Sequence, residues 1–240
     1  MAFELIYQDD EDGRIFWLHR NEAKTMRAAG LTVRTKPSRT ATTLLRRGPI
    51  MDEATCPKDP RYLQSPQIYS NYCCVHRWYE AIADLTIPTV FVNELGAEAT
   101  KALEARGWKR AFVKNSIKSL VKENPLESVY PDVSFEELER GFAEFSYSPR
   151  PFALRQYLPA DLFENEKRYW VIGHTIRHSS GKIPEIVREA AARLAVFGGV
   201  FYTIDATPDL IVEVNGGESS DRKTDNRAED FAFWIKEAFH

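Results

Sequence analysis

The chain has 240 residues, 43% of them hydrophobic and 28% charged, with a formal net charge of −3. That is room for one large or two small domains of ordinary globular composition. So small a charge gives no sign of a nucleic-acid partner, and no apolar run is long enough to span a membrane. The start, MAFELIYQDDEDGR, lacks a signal-peptide pattern. Cys56, Cys73 and Cys74 form neither a disulfide framework nor a zinc spacing. A reducing compartment, most simply the cytoplasm, is the expected location.

Taken in order, Phe3 to Tyr7 reads as a short buried strand. Arg14 to Ala29 has a helical apolar face at Ile15, Leu18, Ala23 and Met26, stopped by Gly30. Leu31 to Arg34 and Thr42 to Leu45 are predicted strands, and the strand–helix–strand order predicts a parallel sheet. Arg46 and Arg47 then fall just past a strand end, either facing an acidic substrate or forming a solvated basic turn. Pro49 to Tyr72, with Pro57, Pro60 and Pro66, reads as a long loop and a candidate lid. Cys73 to Asp84 is a predicted helix carrying His76 and Arg77. Thr89 to Val92 is a strand, and Ala97 to Arg106 a helix stopped by Gly107.

Arg110 to Val113 is a strand leading into Lys114, with Lys118 four residues on. Ser134 to Phe145 is a helix: Ser134 and Glu137 make a capping box, and Phe135, Leu138, Phe142 and Phe145 an apolar stripe suited to a core. Phe152 to Leu158 and Glu166 to Ile172 are strands, the second followed by a turn at Gly173. Ile183 to Phe197 and Arg227 to Phe239 are helices. His174 and His178 read as loop residues, with a metal pair as the alternative. No internal repeat is visible.

The most informative stretch is GVFYTIDATPDLIVEVN, Gly199 to Asn215. Two apolar runs around Thr207-Pro208-Asp209 predict a β-hairpin. Glu213 and Asn215 lie two apart and share a face. With an odd-numbered loop Asp205 joins them. Two carboxylates and an amide on one buried face are costly without a cation, and hard oxygen donors suit Mg2+. The alternative is a hairpin whose polar face lies in solvent. The chain has no GxxxxGK phosphate loop and no GxGxxG, so a nucleotide site would have to be built another way. Lys114 at a strand end could meet phosphates as a point charge.

The order AFVKN, helix, ALRQYL, EKRYWVIG, helix, TID…VEVN resembles the ATP-grasp superfamily from Ala97 to Gly217. VKNSIKS and LRQY are similar to the clade named for its arginine and two lysines. The resemblance implies an α/β (α+β) fold with a small pre-ATP-grasp domain over residues 1–95. Residues 96–240 would form the ATP-grasp domain, with 96–158 clamping nucleotide and 159–240 binding metal. It implies Lys114 and Lys118 on nucleotide phosphates, and Gln156, Tyr157 and Leu158 as the hinge against adenine. Asp161 or Glu164 would take the ribose hydroxyls. Arg168 would sit at the reacting phosphate and carboxylate, and Arg155 there or bracing the hinge. Asp205, Glu213 and Asn215 would hold Mg2+. The implied function is an ATP-dependent carboxylate–amine ligase making an amide or peptide bond through an acylphosphate. Its partners would be ATP, a carboxylate and an amine on a small molecule, peptide or protein. Arg46, Arg47 and the long loop would contribute to acceptor choice. The segment from Ser116 to Val133 holds no glycine, unlike the family's phosphate-covering loop, although Lys118 and Lys122 lie in it. That departure keeps open a nucleotide- or protein-binding module without turnover, and a kinase on the same scaffold.

Overall fold

The computed structural model describes residues 2–9, 12–15, 19–48, 57–117, 128–144, 150–220 and 225–240. In chain order the strands are β1 Phe3–Tyr7, β2 Val33–Arg34, β3 Thr43–Arg47, β4 Thr89–Val92, β5 Ala111–Lys114 and β6 Val129–Tyr130. They continue as β7 Phe152–Gln156, β8 Lys167–Ile172, β9 Thr175–Arg177, β10 Phe201–Ala206 and β11 Ile211–Gly216. The helices are α1 Arg20–Ala28, α2 Pro66–Cys73, α3 Val75–Trp78, α4 Ala97–Arg106, α5 Phe135–Glu144, α6 Glu185–Leu194 and α7 Ala228–Phe239. Among the described residues no helix is long and apolar enough to cross a membrane. The architecture is mixed α/β, as the sequence predicts, in two compact units: Met1–Tyr72 with Glu166–His240, and Cys73–Asn165.

The first unit holds two sheets. The parallel one, ordered β2-β1-β3, places β1 in the middle, and all five of its residues are buried. The other, ordered β11-β10-β8-β9, is antiparallel. One apolar cluster joins Phe3, Leu5 and Met26 to Trp170, Phe201, Phe231 and Ile235. In the second unit the antiparallel sheet β4-β7-β5-β6 packs Val92, Val113 and Leu154 against Leu103 of α4 and Leu138 and Phe142 of α5. β4 precedes the expected boundary at residue 95 and pairs with β7.

Several expected bounds change. The first helix starts at Arg20, not Arg14. The predicted loop at Pro49 to Tyr72 carries α2, and the Cys73-to-Asp84 helix is the short α3 followed by a 3-10 turn, Tyr79–Ile82. β9 was not expected; Gly173 (φ 57°) and His174 (φ 75°) turn the chain back on β8 to make it. Cys73 and Cys74 are buried. Cys56, Leu18, Lys118, Lys122 and Phe145 lie outside the described residues.

Two helix ends form as read. Gly107 closes α4 in the left-handed region (φ 64°). At α5 the Ser134 N–H donates to Glu137 Oε2 (3.0 Å), and the Glu137 N–H donates back to Ser134 Oγ (3.3 Å). Ser134→Ala removes this cap; a thermal melt is expected to drop by about 2–4 °C.

Candidate functional site

The candidate residues fall in two groups, one in each unit. In the first unit, register decides the arrangement. Arg168 on β8 lies opposite Asp205 on β10, which lies opposite Glu213 on β11. The next row is Trp170, Thr203 and Asn215. Directly paired residues share a face, so Arg168, Asp205, Glu213 and Asn215 stand together. The opposite face packs on α6, where the Tyr202 hydroxyl donates to the Ala191 carbonyl (3.4 Å). The expected gathering is therefore present, but by another route. The loop is not a three-residue turn. Ala206 pairs with Ile211, leaving residues 207–210 as the loop, closed by the Thr207 N–H on the Leu210 carbonyl (2.9 Å). A bulge at Val212 adds the residue that returns Asp205 and Glu213 to one face.

The face is not a solvated one at Asp205, which is 2% exposed. Both its oxygens accept from Arg168, Oδ1 from Nε (2.7 Å) and Oδ2 from Nη2 (2.6 Å). Glu213 and Asn215 are half-buried. Arg168 is fixed at the backbone as well. Its N–H donates to Asp225 Oδ2 (3.0 Å), and its carbonyl accepts from Asn226 Nδ2 (2.9 Å). Burial would raise the Asp225 carboxyl, but His178 and the Arg168 N–H hold it below the ordinary range. His178 is thus not a loop residue in solvent. It is buried, with Nε2 3.3 Å from Asp225 and Nδ1 2.7 Å from Ser180 Oγ, whereas His174 is exposed at a turn. Asp225 and Asn226 escaped the sequence reading, because nothing local ties them to a strand some fifty-seven residues earlier.

As a donor set, Asp205, Glu213 and Asn215 fit a hard divalent ion: two carboxylates and an amide oxygen on one face. Among the described residues no group of three His, Cys, Asp or Glu side chains is placed to hold a metal.

The strand β11 leads into a tightly held turn. A Cβ on Gly217 would meet the Phe201 ring at 2.6 Å. The Gly217 carbonyl accepts from Arg47 Nη1. Arg47 was read as lying past a strand end; instead Arg46 and Arg47 close β3, and Arg47 is completely buried. Its Nε and Nη2 form two 2.8 Å bonds to Glu22, whose Oε1 also accepts from the Tyr7 hydroxyl (2.8 Å). The Arg47 guanidinium lies 5.3 Å from the centroids of Trp170 and Phe231. A substrate-facing or solvated role for Arg47 is overturned. The Gly48 N–H donates to the Glu218 carbonyl (2.8 Å), and Gln64 Nε2 to Glu218 Oε1 (2.7 Å).

In the second unit Lys114 ends β5 and is buried (2% exposed). It pairs in register with Ala153, as Phe112 does with Arg155. Lys114 and Arg155 therefore share the sheet face opposite the Val113–Leu154 core. Arg155 Nη2 lies 3.3 Å from Thr86 Oγ1. Gln156 closes β7, with its N–H on the Pro88 carbonyl (2.8 Å); Tyr157 and Leu158 follow, half-buried. The Arg110 guanidinium lies 3.9 Å from the Tyr157 ring centroid. Asp161 and Glu164 are exposed, in and just after a 3-10 turn at Ala160–Phe163.

A strand ending in Lys114, the arginine-bearing strand β7 and the acid-bearing hairpin follow one another in the chain, and the fold is that of ATP-grasp structures. No family model matches the sequence, and no curated protein does. Solved structures do match. D-cycloserine synthetase DcsG aligns with a TM-score of 0.66 at 16% identity over 98% of each chain. A RimK domain ATP-grasp protein from Sphaerobacter thermophilus DSM 20745 gives 0.63 at 15% identity over 99% of each. The ATP-grasp ligase PsnB, complexed with a minimal precursor, Mg and ADP, gives 0.57 at 12% identity, over 99% of this chain and 98% of its own.

Proposed function

We propose that this chain is an ATP-dependent carboxylate–amine ligase. The observation that carries the reading is the row Arg168, Asp205 and Glu213, with Asn215 one step along, on adjoining strands of an ATP-grasp fold. In this reading Asp205, Glu213 and Asn215 hold Mg2+, which neutralises phosphate charge when bound. Lys114, with Lys118, meets the nucleotide phosphates. Gln156, Tyr157 and Leu158 face adenine, Asp161 or Glu164 the ribose, and Arg168 and Arg155 the reacting groups. Residues 1–95, 96–158 and 159–240 act as acceptor-side domain, nucleotide clamp and metal subdomain. A carboxylate oxygen attacks the terminal phosphorus of ATP and ADP leaves. The amine nitrogen then attacks the acyl carbon, phosphate leaves, and the nitrogen gives up a proton. Positioning and charge cancellation carry such a reaction, and no nucleophilic side chain is needed. The solved structures of PsnB and MdnC with precursor peptides support a search that includes peptide acceptors.

The test is calorimetric titration with ATP, with and without Mg2+, on wild type, Lys114→Ala and Glu213→Ala. Both substitutions are expected to weaken Mg2+-dependent binding by at least about tenfold. A screen of acid–amine pairs for ADP release follows. A wild type that binds no nucleotide rules the reading out. Binding without ADP release for any pair would instead indicate a nucleotide-binding module.

A further inference from the structure

We propose that Ser180 is a nucleophilic hydroxyl, activated by His178 and Asp225, that accepts an acyl group from an activated ester. The proposal is independent of the ligase reading and concerns the turn that follows β9.

Three side chains stand in line there. Ser180 Oγ lies 2.7 Å from His178 Nδ1, and His178 Nε2 lies 3.3 Å from Asp225 Oδ2. The backbone decides which ring nitrogen carries the proton. Nδ1 accepts from the Ser180 N–H (3.1 Å), so it holds a lone pair, and the proton sits on Nε2, facing the carboxylate. A base in that tautomer can take the hydroxyl proton, and the carboxylate stabilises the imidazolium that results. His178 is buried, with the centroid of the Tyr169 ring 5.1 Å from its own, whereas Ser180 is exposed. A Cβ on Gly181 would meet nothing within 4 Å, so the space at the next residue is open.

The backbone also limits the chemistry. The Gly181 N–H donates to the His178 carbonyl (2.9 Å), and the Lys182 N–H donates to Ser180 Oγ (3.2 Å). Both N–H groups beyond the serine are thus engaged, and neither waits for the oxyanion that cleavage of an ordinary ester or amide develops. An ester whose leaving group is a weak base depends less on that help. The Ser180 oxygen attacks its acyl carbon and the Ser180 proton passes to His178 Nδ1. The leaving group departs with the electron pair of its bond, and a serine ester remains.

The experiment treats the full chain with p-nitrophenyl acetate. Nitrophenolate release is followed by absorbance, and the acetylated residue is located by peptide mass spectrometry. A stoichiometric burst is expected, with the acetyl group on Ser180. The neighbouring Ser179 is the control within the same molecule: its Oγ accepts from the Arg227 N–H (2.7 Å) rather than facing an imidazole. Ser180→Ala should lose the burst. His178→Gln should slow acetylation of Ser180 by at least about a hundredfold, the share a positioned base supplies. Wild type in which Ser180 stays unacetylated, or reacts no faster than Ser179, overturns the proposal, and that readout needs no variant to fold. A His178→Gln protein that melts like wild type and acetylates Ser180 at the wild-type rate overturns it as well.

Discussion

Arg47→Ala is expected to destabilise the first unit by about 3–5 kcal/mol, the cost of leaving a buried charge without its partner. The group left behind is Glu22, 7% exposed and bonded twice by Arg47. Burial alone would raise the Glu22 carboxyl; Arg47 more than offsets that and keeps it below the ordinary range. The substitution also frees the Gly217 carbonyl and empties the space among Trp170, Phe201 and Phe231. The double variant Glu22→Gln/Arg47→Met removes both charges, fills much of the volume, and keeps an acceptor for the Tyr7 hydroxyl. It should recover most of the loss, since the pair's value lies in being complete rather than in being charged. Urea unfolding of wild type, Arg47→Ala and the double variant measures this. A single variant within about 1 kcal/mol of wild type would mean the pair is not the strut its burial implies.

What the sequence made legible was local. Gly107 ends α4 because the left-handed position wants glycine, and Ser134 and Glu137 cap α5 because their spacing brings each to the other's backbone. The hairpin was visible in its β-branched runs and turn residues. Side chains with distant partners were not visible. Arg47 reads as a basic residue near a strand end, and only folding brings it Glu22, 25 positions away, and Gly217, 170 away. Asp205 reads as an acid awaiting a cation; the cation in place, Arg168, sits 37 residues earlier on the neighbouring strand. The parity of Asp205 and Glu213 came out as expected although the loop did not, because the bulge at Val212 compensates for a longer loop. His178 was misplaced for the same reason as Arg47: its partner, Asp225, is 47 residues on.

The second large effect concerns Glu218, in the turn that follows Glu213 and Asn215. Its Oε1 accepts from Gln64, while its buried Oε2 has no partner among the described residues. Glu218, Arg46 and Gln64 line a cavity of about 10 Å³ together with Leu44, Tyr62 and Leu63. Burial pushes the Glu218 carboxyl up to about 7 from an ordinary 4.5, against the opposing pull of Gln64, Arg47 and Arg46. A carboxyl raised in the folded state holds its proton more tightly there than in the unfolded chain. Its contribution is therefore fully present below pH 4.5 and is lost as pH rises to 7, a total of ~3 kcal/mol. Glu22 and Asp225, lowered in the folded state, act in the opposite sense and at lower pH, so the windows separate. Glu218→Gln keeps the shape and cannot ionise. At pH 4 and below it should match wild type, and at pH 8 it should be the more stable by ~3 kcal/mol. Urea midpoints across pH 4 to 8 give both curves. Parallel curves would show that Glu218 ionises without cost, which requires Oε2 to gain a donor. Diverging curves would place a proton-sensitive carboxyl in the turn that follows the strand bearing two of the three candidate metal donors. The effect of pH on Mn2+ affinity would then have to be compared with that of Glu218→Gln before any of it was assigned to the donors themselves.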